Sequence, residues 1–147
     1  MKCPGADIAR AVTTFAALTA IAVASAPVRA TPADGVTGTT SARITIGDTD
    51  YVLRQITIAP GGSTGWHFHD GTVYGLVREG TLTHYDSRCT VDGIYSPGSF
   101  VVETGGPGYV HLGRNPGSEP LVLDAVYVLP AGSPLAEDVP NPGCDFR

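Results

Sequence analysis

Short β-rich runs separated by glycine and proline turns make up most of the chain from residue 43 onward. None of these runs has a sustained helical periodicity, and turn residues such as Gly47, Gly80 and Gly98 stand between them. The runs lie at residues 44–46, 51–58, 66–69, 72–78, 81–85, 99–103, 109–112 and 120–129. About eight short strands at this spacing are typical of an antiparallel sandwich or barrel, so the sequence predicts an all-β fold.

Residues 1–30 have the order of a secretory signal peptide. A basic start is followed by an uncharged, largely apolar run over residues 11–28 and by small residues that end at Ala30. A retained membrane anchor is the alternative, but Pro27 and several threonines make this run a poor spanning helix, which needs ~20 strongly apolar residues. We therefore expect export, with cleavage after Ala30.

The remaining chain has the length of one domain. Residues 31–42 are small and polar, and we expect a flexible lead-in there. The strand-rich part, residues 43–130, is expected to form the barrel. Residues 131–147 are rich in proline and are expected to be a tail that wraps the outside of the barrel.

The charge of this exported part limits its partners. After residue 30 the chain carries six arginines, no lysine and thirteen acidic residues, hence a formal net charge of −7. It has no basic cluster that could neutralise phosphates, so nucleic acid and anionic membranes are not expected partners. The expected partner is a small-molecule ligand.

Two cysteines follow the predicted cleavage site, Cys89 and Cys144. In an exported protein an even pair most simply predicts a disulfide, which would fasten the tail to a mid-chain loop. A metal-binding or reactive thiol is the alternative.

Two histidines, His67 and His69, stand two residues apart in a predicted strand. Alternate residues of a strand share a face, so both imidazoles can reach one ion if a neighbouring strand supplies a third ligand. His111, in a short run after a Pro-Gly turn, is the candidate for that ligand.

Two motifs in these segments resemble those of the cupin family. The matching residues are Gly61-x5-His67-x-His69 with the closing Gly80, and Gly108-x2-His111-x3-Asn115. The resemblance implies a cupin-type double-stranded β-helix, that is, a jelly-roll barrel. It also implies a divalent transition metal (Fe, Ni, Cu, Zn or Mn) bound by His67, His69 and His111, and a structural role for Asn115.

The sequence departs from the family pattern at Val73, where a cupin usually has a glutamate. Two nearby acidic residues cannot replace this glutamate. Asp70 points to the opposite face from His69, and Glu79 lies ~20 Å along the strand from position 73, at 3.3 Å per residue. The chain is also similar to small exported actinobacterial cupins with an apolar residue at this position, through its WHxHxG, GTLT and late PG-C-F segments. We therefore predict a site of three neutral ligands, which leaves the charge of the ion uncompensated.

Two functions fit this interpretation. One is a secreted metalloenzyme, an oxygenase, lyase or isomerase that acts on a small organic acid. The other is a secreted module that binds a small molecule or a metal without turnover.

A homodimer is a further expectation, because Phe68, Tyr74 and Leu76 point away from the barrel interior. His84 shares parity with Leu82, so it is either a fourth polar group in the cavity or a surface histidine one residue from a loop, and we favour the surface position.

Overall fold

The computed structural model describes residues 29–146, so the predicted signal peptide lies outside the described part except for its last two residues. Ten strands and no helix are found in that part. They are β1 (Asp34–Ile46), β2 (Thr49–Ser63), β3 (His67–Phe68), β4 (Thr72–Glu79), β5 (Leu82–Asp86), β6 (Val91–Tyr95), β7 (Phe100–Glu103), β8 (His111–Arg114), β9 (Leu121–Pro130) and β10 (Glu137–Asp138). Within residues 29–146 there is accordingly no helix long and apolar enough to cross a membrane. The all-β prediction is confirmed.

The ten strands form one continuous antiparallel sheet that curls into a nearly closed barrel, and its two halves are called the larger and the smaller sheet. The larger sheet has the order β1-β2-β9-β4-β7, and the smaller has the order β10-β3-β8-β5-β6. The long strand β2 contributes to both sheets, because its last residue, Ser63, pairs with Arg114 of β8. This arrangement is the jelly-roll barrel that the sequence predicts.

The alternation of buried and exposed residues in the strands fixes which side chains face the interior. Along β9 every second residue from Leu121 to Leu129 is buried, and the residues between them are half-buried or exposed. The apolar core consists of two clusters. One is built around Ile58, Val77 and Leu121, and the other around Val52 and Tyr127. Ile56 packs against both clusters, so the two are adjacent in the interior.

The prediction of a flexible lead-in at residues 31–42 is wrong over most of that segment. Strand β1 begins at Asp34, and it pairs with β2 along nearly its whole length. Most of its side chains are exposed, so backbone hydrogen bonds to β2 hold this edge strand rather than burial of apolar surface. The barrel therefore begins about nine residues before residue 43, where the sequence predicted its start.

The C-terminal segment crosses the outside of the smaller sheet and is fastened there. Strand β10 pairs with β3, and a disulfide joins Cys89 to Cys144, as predicted. Phe146 packs against Tyr85 and against the fully buried Trp66, with ring centroids 4.6 and 6.0 Å away. The tail thus covers the strand that carries His67.

Candidate metal centre

The three predicted histidines lie together inside the barrel. His67 on β3 and His111 on β8 are direct ladder partners, and their ring centroids are 4.3 Å apart. His69 follows β3, with its ring centroid 4.8 Å from that of His67. All three are at least 94% buried. The alternation argument from the sequence therefore places all three side chains in one cluster.

Backbone carbonyl groups fix the orientation of each imidazole. The Nδ1 atoms of His67 and His111 each lie 2.9 Å from the carbonyl oxygen two residues earlier, and Nδ1 of His69 lies 2.6 Å from the oxygen of Leu135. Because a carbonyl oxygen can only accept, the proton is on Nδ1 and donates to it. This is the arrangement that metal-binding histidines use, since it leaves Nε2 available as a ligand and holds the ring in place.

Glu103 at the end of β7 supplies a carboxylate to the same cluster. Its Oε2 atom lies 3.0 Å from Nε2 of His69 and 3.4 Å from Nε2 of His111. One ligand atom from each of the three histidines and from Glu103 lies within 4.8 Å of the others. Two ligands that share one ion at ~2.1 Å are at most ~4.2 Å apart, so small side-chain adjustments would complete a site.

The prediction of a site without a carboxylate is therefore wrong. Glu103 is the antiparallel ladder partner of Val73, the residue at the usual glutamate position. Residues directly opposite in such a ladder present their side chains on the same face ~5 Å apart. The sequence contained a signal for this placement: Glu103 has the same parity as Val101, which is buried in the core.

His84 is also buried, with 1% of its surface exposed, so the expected surface position is wrong. Its ring stacks on that of His111 at a centroid distance of 4.9 Å. Its Nδ1 atom lies 2.5 Å from Oδ1 of Asp92, and its Nε2 atom lies 3.6 Å from Oε1 of Glu103. His84 therefore contacts the oxygen of Glu103 that faces away from His69 and His111.

The cluster favours an ionised carboxylate. Burial opposes ionisation of Glu103, but its contacts with His111, His69 and His84 outweigh burial and hold the pKa of this carboxyl well below its ordinary value. Burial also acts against a charged His84, but the contacts with Glu103 and Asp92 raise the pKa of that histidine. Burial of His67, followed by the effect of His111, lowers its pKa from 6.5 to about 3. A neutral imidazole at position 67 and a negative carboxylate at position 103 are both suited to a cation.

These shifts predict how the stability of the metal-free protein depends on pH. The unfolded chain protonates His67 near pH 6.5, whereas the folded chain does so near pH 3, so unfolding takes up a proton between these values. The free energy of unfolding should therefore fall by up to ~1.4 kcal/mol per pH unit as the pH drops from 6.5 to 4.5. Denaturant unfolding of chelator-treated protein measures this slope.

The raised pKa of His84 has the opposite effect on stability. Its contribution to the free energy of unfolding is present below pH 6.5 and is lost as the pH rises through the pKa that His84 has in the folded protein. His67→Gln should flatten the acid slope, whereas Arg88→Gln, at an exposed arginine, should leave it as in the wild type. An unfolding free energy that stays level between pH 6.5 and 4.5 in the wild type would contradict this assignment.

Asn115 has the structural role that the sequence predicts. It is 99% buried, and its amide nitrogen donates to the carbonyl oxygens of Ile58 and Glu119 at 2.9 and 2.7 Å. Its side-chain oxygen accepts a hydrogen bond from the backbone nitrogen of Gly117. These contacts shape the turn after β8 and do not reach the histidine cluster.

A cavity of about 210 Å³ adjoins the cluster inside the barrel. His67, His69 and Glu103 form part of its wall, and most of the remaining wall is apolar. A cation bound by the four side chains would therefore face a partly open space that can hold a small molecule.

Comparison with known proteins establishes the family. Residues 54–129, more than half of the chain, match the sequence profile of the cupin domain. The chain belongs to the cupin family. No functionally curated protein matches this cupin significantly.

Solved structures with the same fold have low sequence identity to this cupin. The polyketide cyclase RemF from Streptomyces resistomycificus is 23% identical with a TM-score of 0.57, and 76% of each chain is covered. A double-stranded β-helix protein from Klebsiella pneumoniae is 19% identical with a TM-score of 0.55, covering 71% of this chain and 84% of the other. A cupin domain from Bordetella pertussis is 20% identical with a TM-score of 0.52, covering 67% and 95%. At these identities the likeness shows the fold alone.

Proposed function

We propose that this cupin is a secreted, metal-dependent enzyme of oxygenase, lyase or isomerase type that acts on a small organic acid. The observation that carries the proposal is the convergence of four ligand atoms, from His67, His69, His111 and Glu103, beside a cavity. Nε2 of His111 is buried and makes no hydrogen bond among the described residues, although Glu103 lies close to it. A divalent ion would satisfy this atom and the other three ligands at once.

The donor set fits a divalent transition metal. Imidazole nitrogens suit Fe, Ni, Cu and Zn, and a carboxylate also suits Mn. A bound ion would supply a Lewis acid with coordination positions open to the cavity. The chain itself holds the imidazoles by their Nδ1 atoms, offsets one unit of positive charge with Glu103, and surrounds the site with a mostly apolar wall.

Two features support a place outside the cytoplasm. The disulfide between Cys89 and Cys144 indicates an oxidising compartment, because cytosolic thiols are kept reduced. Residues 1–30 have the composition of a secretory signal peptide. Determination of the N-terminal residue of the exported protein tests cleavage after Ala30.

The metal site is tested by metal analysis of the disulfide-bonded protein. We expect one transition-metal ion per wild-type chain after dialysis, and His111→Ala should lose it because the ion then lacks one of four ligands. Asp48→Ala, a change in the exposed turn between β1 and β2, should leave the stoichiometry as in the wild type. Failure of the wild type to retain a stoichiometric ion would refute the metal site.

Turnover separates an enzyme from a binding module. The loaded protein should consume oxygen or convert a small organic acid, and His69→Ala should abolish this activity. Stoichiometric metal uptake without turnover across such a substrate set would favour the non-catalytic binding module instead.

A further inference from the structure

Two neighbouring rows of inward-facing side chains in the larger sheet form one wall of the cavity. Inward-facing side chains form rows across β2, β9, β4 and β7, as the ladder partners define. One row consists of Val52, Tyr127, Val73 and Glu103, and the next consists of Arg54, Ala125, Gly75 and Val101. Side chains from both rows line the cavity, and Ala125 is the small side chain that leaves room in the second row, the open row. The side chain of Val101 lies over Gly75, because a Cβ atom added there would meet its Cγ1 atom at 2.7 Å.

Arg54 is at the β2 end of the open row and lines the cavity. It is half-buried on the inward face of its strand, where arginine is seldom found without a partner. Within residues 29–146 its guanidinium makes no ion pair, and its one side-chain hydrogen bond goes to the hydroxyl of Thr40 at 3.2 Å. A guanidinium in this position is available to an anion inside the cavity.

The histidine cluster is at the other end of the cavity. Glu103 on β7 is separated from the strand of Arg54 by β9 and β4, that is, by three inter-strand spacings or ~14 Å between backbones. Tyr127 lies between them, with its ring centroid 5.7 Å from that of His69. A molecule in the cavity therefore meets the guanidinium of Arg54 at one end, mostly apolar side chains in the middle, and the histidine cluster at the other end.

We propose that the cavity binds an organic acid whose carboxylate pairs with Arg54 and whose compact apolar body points its far end at the cluster of His67, His69 and Glu103. The role of the far end rests on the proposed metal site, but the pairing with Arg54 does not. The volume of about 210 Å³ sets the size of the body, since an apolar cavity of ~150 Å³ holds one benzene ring. The ligand class is thus an acid with about one ring or an equivalent branched chain.

Calorimetric titration of metal-depleted, disulfide-bonded protein tests the Arg54 end. We expect trans-cinnamate to bind about tenfold more tightly than its uncharged amide, cinnamamide, because the acid makes a charge-assisted hydrogen bond. Arg54→Gln should abolish this preference and leave the affinity for cinnamamide unchanged. Arg78→Gln is the matched control, because Arg78 is exposed and pairs with Asp124 outside the barrel.

The position of the apolar body is tested at Ala125. Ala125→Leu should weaken binding of both compounds about tenfold or more by filling the open row, whereas Val126→Leu, at the adjacent outward-facing residue, should weaken neither. Equal affinities for acid and amide in the wild type, a preference that survives in Arg54→Gln, or unchanged binding in Ala125→Leu would each overturn the proposal.

The far end is tested with zinc. Zinc loading should tighten binding of 3,4-dihydroxycinnamate, whose catechol oxygens lie opposite its carboxylate, and should leave cinnamate unchanged. If zinc tightened both compounds equally, the carboxylate would be on the metal and the orientation would be wrong. If the protein took up no zinc but still preferred acid to amide through Arg54, the metal function would fail and the acid site would stand.

Discussion

Glu103→Ala should lower the affinity for a transition metal by about 100-fold or more, and Val73→Glu in the same chain should restore most of it. The loss is expected because changes to the partners of metal ligands alone cost ~10–100-fold, and Glu103 is the only carboxylate among the four clustered residues. The recovery is expected because Val73 and Glu103 are ladder partners, whose side chains point into the same space. The double variant would then have its carboxylate on β4, at the position where a cupin usually has a glutamate.

Competition against a coloured chelator measures these affinities on disulfide-bonded protein. Glu79→Ala, which removes an exposed carboxylate from β4, is the matched control and should bind metal as the wild type does. Circular dichroism identifies any variant that fails to fold, and Glu103→Gln, which preserves the side-chain volume, provides a second test of the charge. Wild-type affinity in both Glu103 variants would rule out this carboxylate as a ligand. A folded double variant without recovery would show that positions 73 and 103 are not interchangeable.

The sequence predicted the three histidines but not the carboxylate, and the difference is physical. His67 and His69 share a face because strands alternate, which is a local rule, and the cupin motif supplied His111. The link between Val73 and Glu103 depends on the register between β4 and β7, which are separated by twenty residues of other structure. Alternation could have placed Glu103 on the same face as Val101, but it could not indicate which strand lies opposite.

The two other failed predictions also concern pairing between strands. His84 is buried because β5 lies between β6 and β8, which brings it onto His111 and Asp92. Residues 34–42 have a composition typical of a flexible segment, but they form a strand because the backbone of β2 offers them hydrogen bonds. β-Propensity depends strongly on such context, so composition alone did not predict an edge strand whose side chains bury little apolar surface.

Replacement of both cysteines, as in Cys89→Ala with Cys144→Ala, should lower the free energy of unfolding by about 4 kcal/mol. Chain entropy sets this value, because the cross-link closes a loop over a separation of 55 residues in the unfolded chain. Denaturant unfolding of the double variant beside the oxidised wild type measures it. Addition of a reductant should shift the wild type toward the variant and leave the variant itself unchanged. Equal unfolding free energies for the two proteins would contradict the entropic argument.

The same change should weaken metal binding by up to about 100-fold, through His69. The carbonyl oxygen of Leu135 in the C-terminal segment accepts the Nδ1 proton of His69 at 2.6 Å, and this contact holds the imidazole with Nε2 directed at the cluster. Without the bond to Cys89, the segment from Leu135 to Cys144 is still held by the short pairing of β10 with β3, by backbone hydrogen bonds of Val139 with Thr31 and Trp66, and by the packing of Phe146. Under conditions where the cysteine variant remains folded, metal affinity therefore reports whether the tail stays docked. A drop in affinity shows that the disulfide maintains the cluster, whereas wild-type affinity would show that the remaining contacts are sufficient to position His69.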